Sequence, residues 1–258
     1  MSADPHWRYV QARLQSRHGD RLAEAAWHAL EAAQTADAFL DRARATPLAR
    51  FTEKVNAVMN PHAMERVLRG AWRDYVNEIA GWLPDAWRPA VSWTALLPDL
   101  PAIDALLKGE MPAWVSQDPA LALFTESDPA QRLTALQASP FAPLLPREGE
   151  TARLGARWAR HWRRLRPMQS AADRRALNAL AHAVQTHIEH LARATTQETS
   201  ETYRHDLEKA ATRLFRRHGA SPTAVFGHLV LTALDLGRLR GGLVRRRLFV
   251  STQRRQAA

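Results

Sequence analysis

Four side chains between positions 182 and 190 could hold a metal ion: His182, His187, Glu189 and His190. Imidazoles and carboxylates are the ligands of zinc and di-iron sites, which need three or four groups converging on one point. His187 and His190 are three residues apart and would share a helix face. His182 would lie about 140° around the helix from His187, at about 100° per residue. There is no His-Glu-x-x-His run and no Glu-x-x-His pair in this stretch. A solvated polar face that contains histidines accounts for the pattern, so no metal ligand is assigned. Gly219, Ser221 and Thr223 precede a helix but lack the spacing and lysine of a phosphate loop. No Gly-x-Ser-x-Gly turn is present. Glu78, Asp85, Asp99 and Asp104 read as caps and surface groups. The chain is therefore expected to be non-catalytic and to need no cofactor.

The arginines are the second chemical resource. Arg153, Arg157, Arg160 and Arg164 step by four, three and four residues, with Leu154, Trp158, Trp162 and Leu165 one or two positions on. That spacing predicts an arginine ridge over an aromatic underside on one amphipathic helix. From Arg213 to the last residue there are ten arginines and a single acid, Asp235, which gives +9 of the formal +10. Arg238, Arg240, Arg245, Arg246 and Arg247 sit in that segment, around Gly241 and Gly242. Guanidinium groups bind carboxylates and phosphates bidentately. All nine of these arginines are expected to face outward and to contact an anionic surface, such as acidic protein loops or lipid headgroups. Interleaving of Trp158, Arg160, Trp162 and Arg164 gives nucleic acid as the alternative partner, although no helix-turn-helix or RNA-binding signature is readable.

Only Lys54, Lys108 and Lys209 are lysines among 36 basic residues. Arginine use of this kind, together with abundant alanine, is typical of a GC-rich genome, so the distribution of charge says more than its total. Residues 76–146 carry −5 and residues 147–175 carry +6. Segregation of this kind bears on partners rather than on fold. No cysteine is present, which excludes disulfides and thiolate chemistry and suits a reducing cytoplasm. The N-terminal residues lack the apolar run of a secretory signal. No stretch approaches the roughly 20 apolar residues of a membrane span. The expected location is cytoplasmic, with peripheral attachment to the inner face of a membrane.

Helices must position these groups. Alanine, leucine and arginine dominate, and strand-type alternation is nearly absent, so the expected fold is all-α, a multi-helix bundle. Helices are expected over 6–18, 21–34, 38–45, from Asn60 and Pro61 to Gly81 or Pro84, and over 151–166, 170–195 and 200–218. The last helices should fill 223–249, with a break at Gly241 and Gly242. Prolines at 84, 89, 98 and 101, interleaved with Trp82, Trp87 and Trp93, predict short helices that lay aromatics into a core. Pro140, Pro143 and Pro146 mark 138–152 as a linker or hinge. The expected organisation is an N-terminal half over 1–137, that linker, a basic C-terminal half over 153–250, and a frayed tail over 251–258.

Two ends of the chain carry a family pattern. Tyr9, Ala12 and Arg13 fall in the first helix, Arg21 and Leu22 follow, and Ala36, Phe39, Leu40 and Thr46 come next. At the other end stand Leu207 and Glu208, Pro222, the apolar run Val225 to Leu234, and then Leu239, Arg240, Leu243, Arg245 and Arg246. On these residues the chain resembles the C-subunit family of archaeal and bacterial V/A-type ATPases, relatives of the d component of the eukaryotic V-ATPase. The resemblance covers about the first 80 and the last 50 residues. The chain is shorter than the family by about one of its three helical repeat units. His228, Asp235 and Gly237 stand near positions where the family carries glutamates. The resemblance implies an all-helical, non-catalytic connector without a nucleotide site. Members of the family sit on the cytoplasmic side of the membrane rotor ring of an ion-transporting ATPase and couple it to the central shaft. The partners implied are other protein subunits of a membrane-associated complex.

Overall fold

Prolines and small polar residues set where the helices begin. Pro61 opens a helix behind Asn60, whose Oδ1 accepts the Ala63 amide at 2.8 Å. Thr35 and Thr196 cap their helices by accepting the amides of Ala38 and Thr199, both at 3.2 Å. Ser170 and Asp173 close a reciprocal cap, the serine hydroxyl bonded both to the Asp173 carboxylate and to its amide. The computed structural model describes residues 5–111, 114–147, 149–150, 152–193 and 196–256. Twelve α-helices are present among them: α1 Pro5–Gly19, α2 Glu24–Glu31, α3 Ala36–Arg44, α4 Ala49–Thr52, α5 Pro61–Gly81, α6 Arg88–Ser92, α7 Leu100–Leu107, α8 Pro129–Gln137, α9 Leu154–Leu165, α10 Ala171–Arg193, α11 Gln197–Arg217 and α12 Pro222–Gln256. Short 3-10 turns fill much of the chain between α5 and α9, and no strand occurs among the described residues. The all-α expectation holds.

The chain divides into two units, but not into the expected sequential halves. The first unit takes residues 1–71, 82–84 and 168–258, so it is made from both ends of the chain. The second takes 72–81 and 85–167. The expected hinge at 138–152 lies inside the second unit, where Leu144 is fully buried and Arg157 donates to its carbonyl at 2.7 Å.

In the first unit α12 is the central element, packed on α11, α10, α3 and α1. Its first eight residues, Pro222 to Leu229, are all buried. A helix buried on every side runs through a core rather than over it. Val10, Leu14, Leu30, Phe39, Leu40, Leu177, Phe215, Val225 and Leu239 build that core. The break expected at Gly241 and Gly242 does not occur: α12 continues to Gln256, through most of the tail expected to fray, and residues 257–258 lie outside the described residues. Gly242 is there for close approach. A Cβ at that position would stand 2.5 Å from Cζ of Phe39, a ring with no exposed surface.

In the second unit the tryptophans are packing groups. Trp72, Trp87, Trp93 and Trp162 are buried together with Val91, Ile103, Leu121 and Leu144. Trp93 and Trp158 exchange indole N–H bonds to each other's backbone carbonyls, at 3.2 and 3.3 Å, which fixes α9 against the turn after α6. The run Asp85–Leu107 is, contrary to the sequence expectation, long and apolar enough by length and composition to cross a membrane. It is built from four consecutive short helical pieces. Of its most apolar window 44% is buried inside the structure. Asp99 within it is buried and paired with Arg73 at 2.8 Å.

Candidate docking surface

The arginines of α12 separate by the side of the helix on which they fall. Asp235, Arg238, Gly242 and Arg246 step by three, four and four residues and so share a stripe. Every one of them is engaged internally. Asp235 accepts two bonds from Arg21, at 2.7 and 2.8 Å, and Arg21 also reaches Glu208 at 2.9 Å. Arg238 makes four bonds of 2.6–2.8 Å to Glu24 and Glu31, and its guanidinium lies 4.7 Å from the centre of the Trp27 ring. Arg246 donates to the carbonyls of Glu31, Ala33 and Gly242 at 2.6–2.8 Å and covers Phe39 at 4.2 Å. The first two carbonyls lie at the last residue of α2 and just beyond it, where helical acceptors have no partner of their own and a cation is favoured.

The charges respond to this setting. Hydrogen bonds from Arg238 hold the Glu24 and Glu31 carboxyls below the usual carboxylate range. Burial works against the Arg238 charge, but its two glutamates outweigh it and raise its affinity for the proton. Burial, with Arg245 nearby, pushes Arg246 down. Burial pushes the Asp235 carboxyl up, against the pull of Arg21.

Two of the five α12 arginines expected to face outward therefore do not. Arg238 and Arg246 tie the last helix to α2. Arg240 is exposed but pairs with Glu65, and Arg247 donates to the Val58 carbonyl at 3.4 Å. Arg245 is exposed and has no bond or ion pair among the described residues.

The ridge on α9 divides in the same way. Arg157 is buried and donates to the carbonyls of Leu144 and Ala152 at 2.7 and 2.5 Å. Arg160 is paired with Glu150, whose carboxyl it holds low. Arg153 and Arg164 are exposed. Trp158 and Trp162 stack on each other 6.1 Å apart, and Trp162 is buried. The aromatic underside faces the core of its unit, with Trp162 buried and Trp158 half-buried.

The histidines do not converge. His187 Nδ1 lies 3.1 Å from the Tyr203 carbonyl, and His190 packs its ring 4.5 Å from the Tyr203 ring. Among the described residues no three metal-binding side chains come together. These two imidazoles fasten α10 to α11. His228, on α12, is almost fully buried, and burial pushes it down to about 3, with His18, Arg21, Arg50 and Arg17 adding to the effect.

The cationic face that sequence reasoning missed is on α11. Lys209, Arg213, Arg216 and Arg217 are all exposed. Their spacing places them within about 100° of arc and about 12 Å of helix length. With Glu208 and Thr212 they line an open groove of about 640 Å³. None of the four has an ion pair among the described residues. Their spacing of four, three and one is legible in the sequence, but the denser run of arginines at 245–247 outweighs it in a count of charge along the chain. Comparison with family models, curated proteins and solved structures found no match to this chain.

Proposed function

We propose that this chain is a non-catalytic helical docking subunit of a larger protein assembly, with the Lys209–Arg217 ridge of α11 as its partner-binding face. The observation that carries this reading is the contrast between the arginines that the fold consumes and the four α11 cations that it leaves unneutralised. A ridge of four such charges fits an acidic protein surface, where each contact is a charge-assisted bond. The resemblance to the rotor-coupling component of V/A-type ATPases gives the kind of assembly, a membrane-associated rotary complex with this chain on its cytoplasmic side. In support, the two ends of the chain that carry the resemblance fold together as one unit around α12. Trp162 of α9 is buried and Trp158 half-buried, which counts against the stacking element of the nucleic-acid reading.

The test is co-purification from cells that express the tagged chain. Arg213→Glu, Arg216→Glu and Arg217→Glu combined should lose the rotor-ring and shaft proteins while keeping wild-type helicity. Unchanged recovery of those proteins contradicts the proposal. Tight oligonucleotide binding that falls steeply with salt and is lost in the same variant would favour nucleic acid instead.

A further inference from the structure

The second unit contains a cavity of about 450 Å³ that the docking role leaves unused. Ala142, Pro143, Leu145 and Pro146 supply an apolar wall. Facing it are Arg147 and, from α9, Arg157, Arg160, His161 and Arg164. No acid is among its described lining residues. Four guanidinium groups around one concavity repel each other, and such an arrangement persists when its inner members are held in place. Arg157 is held by the Leu144 and Ala152 carbonyls and is only 8% exposed. Arg160 is held by Glu150, which also accepts the Arg147 backbone amide at 3.2 Å. His161 is fixed by edge contact with the Trp93 ring at 4.5 Å. Arg147 and Arg164 are exposed and have no side-chain bond among the described residues.

We infer that this cavity binds a small organic phosphate, with the phosphate on Arg147 and Arg164 and an apolar body against the proline-leucine wall. The buried Arg157, held by two neutral carbonyls, sets a positive potential that is already in place before the ligand arrives, so little ordering is needed on binding. Arg147 and Arg164 supply the exposed forks that bind phosphate oxygens. The volume suits a ligand of several tens of atoms rather than a bare anion. The site uses no residue of α11, so it stands or falls independently of the proposed docking face.

Calorimetric titration of the full chain at low salt with AMP, inorganic pyrophosphate and adenosine tests this. AMP should bind with one-to-one stoichiometry, pyrophosphate should bind more weakly, and adenosine should give no heat. Arg147→Ala with Arg164→Ala should weaken AMP binding by about tenfold or more, the loss of two charged hydrogen bonds, with unchanged helicity and melting temperature. Three results would overturn the inference: no saturable AMP binding, AMP binding as tight in the double variant as in the parent, or pyrophosphate binding as tightly as AMP. The Arg213, Arg216 and Arg217 variant should bind AMP normally. Loss of AMP binding in that variant would move the phosphate site to α11 and also contradict the inference.

Discussion

Arg245 and Arg246 are neighbours in sequence and opposites in the fold. One is exposed; the other is 6% exposed and answers the carbonyls of Glu31 and Ala33. Replacing Arg246 with methionine keeps the packing on Phe39 but leaves those two acceptors unpaired. Each buried unpaired acceptor costs about 1–3 kcal/mol, so the Arg246→Met chain should be about 2–6 kcal/mol less stable in urea unfolding. Arg245→Met should lie within about 0.5 kcal/mol of the parent. Equal losses would mean that the inward and outward assignments are wrong. His228 makes a second prediction at this scale. Its folded-state pKa of about 3 lies below the ordinary 6.5, so the unfolded chain takes up the proton first. Its contribution is full above pH 6.5 and is lost as pH falls from 6.5 towards 3, at about 1.4 kcal/mol per pH unit. Burial lowers His18, His161 and His187 as well, with the same sign. Melting temperature should therefore fall between pH 7 and pH 5, and His228→Gln should flatten that fall. A rise in melting temperature over this range would contradict the assignment.

At the scale of elements, α12 is held by its shape as well as its charges. Gly242 faces Phe39 at a distance that excludes a Cβ, whereas a Cβ on Gly241 would meet nothing within 4 Å. Gly242→Ala should cost about 1–3 kcal/mol through overpacking. Gly241→Ala should be stabilising by up to about 1 kcal/mol, the difference in helix propensity. Thermal melts of the two variants should move in opposite directions, and a shared sign would mean that the pair is a helix break after all. The sequence shows most helices because their signals are local: Pro61 behind Asn60, Thr35 before α3, and Gly219, Ser221 and Pro222 between α11 and α12. It also shows that Val225 to Leu229 is core. It does not show that α12 continues past two glycines, because a mid-helix glycine costs only about 1 kcal/mol and packing repays that cost. Nor does it show which arginines turn inward. Arg238 lies 207 positions from Glu31 and 214 from Glu24, and only the fold brings them together.

At the scale of the whole molecule, the first unit is closed by its last helix. Residues 24–44 reach α12 through Arg238, Arg246 and the Phe39–Gly242 contact. The two-unit division escaped sequence reading because the proline cluster at 140–146 resembles a linker, although its turns are packed under α9 inside one unit. Arg238 and Arg246 of α12 are accordingly structural fastenings first, and exposed cations without ion pairs among the described residues lie on α11. Hydrogen–deuterium exchange on an Arg238→Glu chain tests this most directly, since it sets a third carboxylate against Glu24 and Glu31. The account predicts that amides of α2 and α3 lose protection, whereas those of α6, α7 and α9 keep theirs. Unchanged protection across residues 24–44 would contradict it.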